Sequence, residues 1–214
     1  MRKDNTELVF IVDKSGSMQG LEVDTIGGLN ATLQKNRALP GEATVSLVLF
    51  DNYSEVVLDR VALEAVAPLT TDDYCVGGCT ALLDAVGDAV SYHVKVQKIL
   101  PKEHRAKQVV FVIITDGMEN ASRRWSYAKV KQLIKKQQKK GWEFLFLGAN
   151  IDAAAEAGRM GIQEDRASEY ISDGVGSRVA YEAVARGMCE TRVFGRPSAR
   201  WNAAAKADVA ARGR

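Results

Sequence analysis

The residues of this chain best suited to chemistry are Asp13, Ser15 and Ser17, in the stretch Asp13-Lys14-Ser15-Gly16-Ser17. A carboxylate and two hydroxyls at alternate positions make a cluster of hard oxygen donors. Held in a crevice, such donors suit Mg²⁺ or Mn²⁺ and suit neither zinc nor copper. Two distant segments add donors of the same kind: Gly78-Cys79-Thr80 and Thr115-Asp116-Gly117. Taken singly, each has a plain structural use. Ser15 and Ser17 suit a turn and a helix cap, Thr80 suits an N-cap, and Asp116-Gly117 suits a turn. A single geometry that uses all five positions is the more economical reading.

Those five oxygens need elements that bring them together. Apolar runs alternate with helical patterns along the chain, as in a parallel sheet covered on both faces. Strands are predicted at Glu7 to Asp13, Ala43 to Phe50, Tyr53 to Leu58, Gln108 to Thr115 and Trp142 to Leu147. Asp51-Asn52 is too short for a crossover, so the second and third strands form a hairpin and the third is antiparallel. Helices are predicted over Leu21 to Asn36, Ala81 to Ile99, Ser126 to about Lys140, Asp152 towards Gly158, and Val175 to Met188. In such a doubly wound, Rossmann-like α/β fold, ligands gather outside the carboxyl ends of the strands where strand order reverses. Asp13 and Asp116 end two strands expected to be neighbours at that point, and Thr80 opens a helix facing them.

The set Asp-x-Ser-x-Ser at 13–17, Thr80 before Ala81-Leu82-Leu83, and Thr-Asp-Gly at 115–117 resembles the metal-ion-dependent adhesion site of von Willebrand factor A domains. The resemblance spans roughly Glu7 to Met188. It implies a mostly parallel sheet with one antiparallel edge strand and helices on both faces. It also implies that Ser15, Ser17 and Thr80 bind the metal directly, while Asp13 and Asp116 act mainly through metal-bound water. Neutral hydroxyls would leave the ion's charge incompletely neutralised and a position open to an Asp or Glu carboxylate of a partner protein. In the family such capture couples to movement of the last helix, and intracellular members commonly work beside ATPases. The competing reading is a Mg²⁺-dependent phosphotransferase of haloacid-dehalogenase type with Asp13 as nucleophile. That chemistry wants a second Asp two residues on, where this chain has Ser15.

Other totals narrow the field. The 214 residues fit one domain over about 1–190 and a basic, Ala- and Arg-rich tail over 191–214, expected as a peripheral helix or a frayed end. From Arg186 to Arg214 there are seven basic and two acidic residues, although the whole chain is only +2. Nucleic acid is therefore not expected, except for weak contact through the tail. No apolar run approaches the roughly 20 residues of a membrane span. Three cysteines make no disulfide framework. With no apolar leader at Met1 to Thr6, the expectation is a cytoplasmic protein that is not an enzyme. Cys75, Cys79, His93 and His104 lack zinc-site spacing. The lysines of 129–140 read as the solvated face of an amphipathic helix.

Overall fold

A computed structural model describes residues 5–213; Met1 to Asp4, within the stretch where no apolar leader is expected, lie outside them. Six strands form one sheet: β1 Asn5–Asp13, β2 Glu42–Phe50, β3 Ser54–Ala62, β4 Gln108–Asp116, β5 Glu143–Ala149 and β6 Ala167–Glu169. Their order is β3-β2-β1-β4-β5-β6, and every pairing is parallel except β2 with β3. The mostly parallel α/β sheet and its antiparallel edge hairpin are as expected. β6 is an addition, three residues long on the far edge. β1 and β4 are neighbours from which the chain winds outward in both directions, so the C-terminal ends of these two strands flank the switch point.

Alternation along the strands divides the core in two. Leu8, Phe10 and Val12 of β1 and Val110, Val112 and Ile114 of β4 pack against helices α1 Glu22–Arg37 and α5 Gly174–Phe194. Val9, Ile11, Phe111 and Ile113 face α2 Leu82–Ile99, α3 Tyr127–Gln138 and α4 Ala153–Arg159. Both faces being covered, the strands read as continuous apolar runs.

The pair Gly27-Gly28 in α1 has two different meanings. A Cβ on Gly28 would lie 2.3 Å from the buried Tyr181 ring of α5, whereas nothing approaches within 4 Å of one on Gly27. Gly28 is what lets α1 and α5 close on each other. Gly28→Ala is therefore expected to destabilise by about 1–3 kcal/mol through overpacking. Gly27→Ala should instead stabilise by about 0.5–1 kcal/mol through helix propensity. Urea unfolding midpoints of the two variants, moving in opposite directions, check this.

The stretch set apart as a tail is built into the fold. α5 runs on to Phe194, and a further helix, α6 Ala203–Arg212, follows. Trp201 is 1% exposed and its indole N–H donates to the Asp165 carbonyl at 2.8 Å. The buried Asn202 amide donates to the Ala167 carbonyl of β6 at 2.8 Å. Much of the basic charge is absorbed locally: Arg186 pairs with Glu190, Arg192 donates to the Gly41 carbonyl, and Arg212 pairs with Asp173 and Asp208. No helix among the described residues is long and apolar enough to cross a membrane.

Candidate metal centre

The three segments singled out from the sequence converge at the switch point. β1 delivers Asp13 at its last residue, and the chain then turns through Ser15 into a short 3-10 helix, Gly16–Met18. The Lys14 amide donates to the Phe50 carbonyl at 2.7 Å and the Gly16 amide to the Gly78 carbonyl at 3.1 Å. The Asp13 loop is thereby laced both to the end of β2 and to the loop carrying Thr80. Lys14 points its ammonium away, to Glu55 at 2.6 Å.

At the centre is a chain of hydroxyls. Thr80 Oγ1 donates to Ser15 Oγ at 3.1 Å, and Ser15 Oγ lies 3.1 Å from Ser17 Oγ. The Ser17 hydroxyl donates in turn to the Asp116 main-chain carbonyl. Asp13, Ser15, Thr80 and Asp116 are buried and Ser17 is exposed, so the cluster opens to solvent on its Ser17 side. Gly117, at φ +153, passes over it; a Cβ there would lie 3.6 Å from Ser17 Oγ and 3.8 Å from Thr80 Oγ1. The cluster thus has a cradle above its hydroxyls that a side chain at 117 would fill.

The two carboxylates are held beside this chain by other partners. Asp13 Oδ1 accepts the Ser15 amide at 2.7 Å, and Oδ2 accepts the Thr115 hydroxyl at 2.6 Å. Burial pushes the Asp13 carboxyl above its ordinary range, against the pull of the Thr115 and Ser15 hydrogen bonds. The Tyr74 hydroxyl donates to the Asp13 main-chain carbonyl. The Asp116 carboxylate accepts from the Asn150 amide and the Ser172 hydroxyl. Asn150 is one of two non-glycine residues with positive φ (+56) among the described residues. Ser172 stands just ahead of α5, whose N-cap is Asp173.

Thr80 does not cap the helix after it. α2 begins at Leu82 with Ala81 in the cap position and no side-chain cap bond. The Thr80 hydroxyl is turned into the site, and its main chain is pinned from the other side. The Thr80 amide donates to Asn120 Oδ1 at 2.9 Å, and the Asn120 amide donates to the Thr80 carbonyl at 3.0 Å. The orphan amides of α2 find partners in the loop after Asp116: Leu83 N–H donates to Glu119 at 2.8 Å, and Asp84 N–H to Ser122 Oγ at 2.9 Å. Asp84 reciprocates by accepting the amides of Arg123, Arg124 and Trp125. Glu119 and Asn120 thus fix the Thr80 segment against the Asp116 segment.

Among the described residues no three His, Cys, Asp or Glu side chains stand together as a metal-binding group. A cation here would rest on Ser15, Ser17 and Thr80, with Asp13 and Asp116 behind them. Neutral oxygens backed by two carboxylates fit a hard divalent ion that keeps part of its hydration shell. Cys75 and Cys79 are exposed free thiols. His93 is buried further along α2, 3.0 Å from Glu7 near the start of β1.

No family model and no curated protein matches the sequence. Solved structures do match in fold. Proximal thread matrix protein 1 from the mussel byssus has a TM-score of 0.58 at 16% identity, over 87% of this chain and 46% of its own. Another structure of that protein, with a TM-score of 0.57 at 15% identity, has a zinc-occupied MIDAS motif. A von Willebrand factor type A protein from Catenulispora acidiphila matches with a TM-score of 0.57 at 16% identity, over 87% of this chain and 43% of its own. The ArnB paralog VWA2 from Sulfolobus acidocaldarius matches with a TM-score of 0.53 at 17% identity, over 85% of this chain and 44% of its own. The chain spans less than half the length of each of these proteins. At such identities the likeness is one of fold. With its strand order, its antiparallel β3 edge and its switch point between β1 and β4, this chain has the von Willebrand factor A fold.

Proposed function

We propose that the chain is a binding module, not an enzyme, that captures an Asp or Glu carboxylate of a partner protein through a divalent cation. The cation would sit on Ser15, Ser17 and Thr80, with Asp13 and Asp116 acting through its water ligands. The observation that supports this most is the hydroxyl chain, with 3.1 Å from Thr80 to Ser15 and 3.1 Å from Ser15 to Ser17. An ion on three neutral oxygens keeps most of its positive charge, and the open side at Ser17 is where an anionic oxygen would arrive. The phosphotransferase reading needs Asp13 free to attack. Asp13 is fully buried with both carboxylate oxygens engaged, which favours an organising role instead.

Mg²⁺ or Mn²⁺ remains the proposed ion on grounds of donor hardness. The zinc-occupied motif of the mussel protein makes Zn²⁺ a necessary comparison. A partner belonging to an ATPase-linked complex, and a cytoplasmic setting in keeping with three free thiols, are parts of the same proposal.

Thermal unfolding in chelator and in each metal tests the ion. An ion at about 100 times its Kd should add about 2.7 kcal/mol, which raises the midpoint of a domain this size by roughly 5–10 °C. Binding of a labelled Asp-containing peptide, present with metal and lost in chelator, tests the capture. Equal midpoints in chelator and in all three metals would refute the proposal.

A further inference from the structure

A run of unpaired positive charge lies along α3, away from the hydroxyl cluster. Between Arg123 and Lys140 there are eight basic residues and no acidic one. Arg124 pairs with Asp84 and Asp88. None of the six lysines at 129, 131, 135, 136, 139 and 140 takes part in an ion pair among the described residues. Lys129, Leu133, Lys136 and Lys139 fall at helical spacing on one stripe about 15 Å long. With Trp125, Gln132 and Lys135 they line a groove of about 620 Å³.

The groove is more than a solvated face, because its middle is apolar. Leu133 and Trp125 are each half-buried and unfinished on the groove side. Trp125 is held rigidly. Its indole packs on Gly87 so closely that a Cβ there would come within 2.2 Å, and its N–H donates to Asp88 at 2.9 Å. A ligand that completes this surface carries several anionic groups and at least one bulky apolar group between them.

We propose that the α3 groove docks an acidic protein segment, its carboxylates on the lysines and a large apolar side chain against Trp125 and Leu133. Charge complementarity selects the polyanion. The apolar side chains Trp125 and Leu133 in the lining select a segment that also carries a large apolar side chain. Lysines also favour scattered carboxylates as point charges, without the bidentate phosphate geometry that arginine supplies. The inference does not depend on the metal reading, since no residue of the groove belongs to the hydroxyl cluster.

Fluorescence anisotropy tests it, with the full chain in chelator and a short labelled peptide bearing Glu on one helical face around a central Leu. Binding that weakens as salt rises is expected, with at least a tenfold loss in Lys129→Glu/Lys136→Glu, which should melt within a few degrees of the parent. Replacing the central Leu of the peptide by Ser should also lower affinity, and replacing its Glu by Gln should abolish binding. No binding of the acidic peptide, or binding indifferent to the charge reversal, overturns the proposal. So does a single-stranded oligonucleotide of equal charge that binds more tightly and is lost in the same variant.

Discussion

Asp116→Ala is expected to lower the affinity for Mn²⁺ by about 10–100-fold, the cost typical of removing a carboxylate that orders a metal's outer contacts. Thermal midpoint shifts measured across a metal titration read the loss. The substitution isolates the carboxylate, because Ser17 bonds to the main-chain carbonyl of Asp116, which alanine keeps. The side chain itself accepts from Asn150 and Ser172, so two donors would be released towards a solvent-facing cradle. Donors that lose their acceptor are costly only where they stay dry; Asn150 is exposed and Ser172 half-buried, so the midpoint in chelator should fall by no more than a few degrees. Asp116→Asn is the companion variant. It retains the shape and the bond from Ser172, and Asn150 can turn its amide to meet it, so it should fold like the parent and still bind metal weakly. If Asp116→Ala bound Mn²⁺ as the parent does, the carboxylate would have no part in holding the ion.

That the five oxygen-bearing residues meet in one place was readable from sequence for a simple reason. Asp13, Ser15 and Ser17 are local to one loop, and Thr80 and Asp116 follow strand and helix patterns whose ends are legible. The residues that set their positions were not. Asn150 and Ser172 meet Asp116 from 34 and 56 residues away, Asn120 meets Thr80 across 40, and Tyr74 meets Asp13 across 61. Each is a lone polar residue in a loop, with no periodicity to mark it. The cap at α2 misled for a related reason. Thr80 has the right type and place for a cap, but its hydroxyl is used in the site and the capping is supplied by Glu119 and Ser122.

The fold divides the same way. The runs Leu8 to Val12 and Val109 to Ile114 announce strands because both their faces are buried. β6, of three residues, carries no such pattern and exists because β5 and Asn202 take up its polar groups. The docking of α6 had one signal: Trp201, an aromatic in an otherwise Ala- and Arg-rich stretch, is more at home in a core than on a frayed end.

Arg60→Ala is expected to destabilise the fold by about 2–3 kcal/mol, somewhat below the usual cost of breaking a buried ion pair. Glu7 lies within β1 and is fully buried, and it accepts from Arg60 at 2.6 Å, from His93 at 3.0 Å and from Gln97 at 2.6 Å. Burial pushes the Glu7 carboxyl up, but the hydrogen bond and charge of His93, joined by Arg60, outweigh it and hold the carboxyl below its ordinary 4.5. A depressed carboxyl contributes stability that is fully present above the unfolded value and is lost as pH falls through the lower folded value. Without Arg60 the depression shrinks, so the acid unfolding limb should move to higher pH as well as to lower denaturant. His93 and Gln97 still face Glu7 in the variant, which is why the loss stays at the low end. A double-mutant cycle separates pairing from packing: in a Glu7→Gln background, Arg60→Ala should cost less than about 1 kcal/mol. The positive φ of +50 at Arg60 is common to all four proteins of the cycle and cancels. Equal costs in the two backgrounds would mean that the arginine stabilises the β3 edge by packing alone.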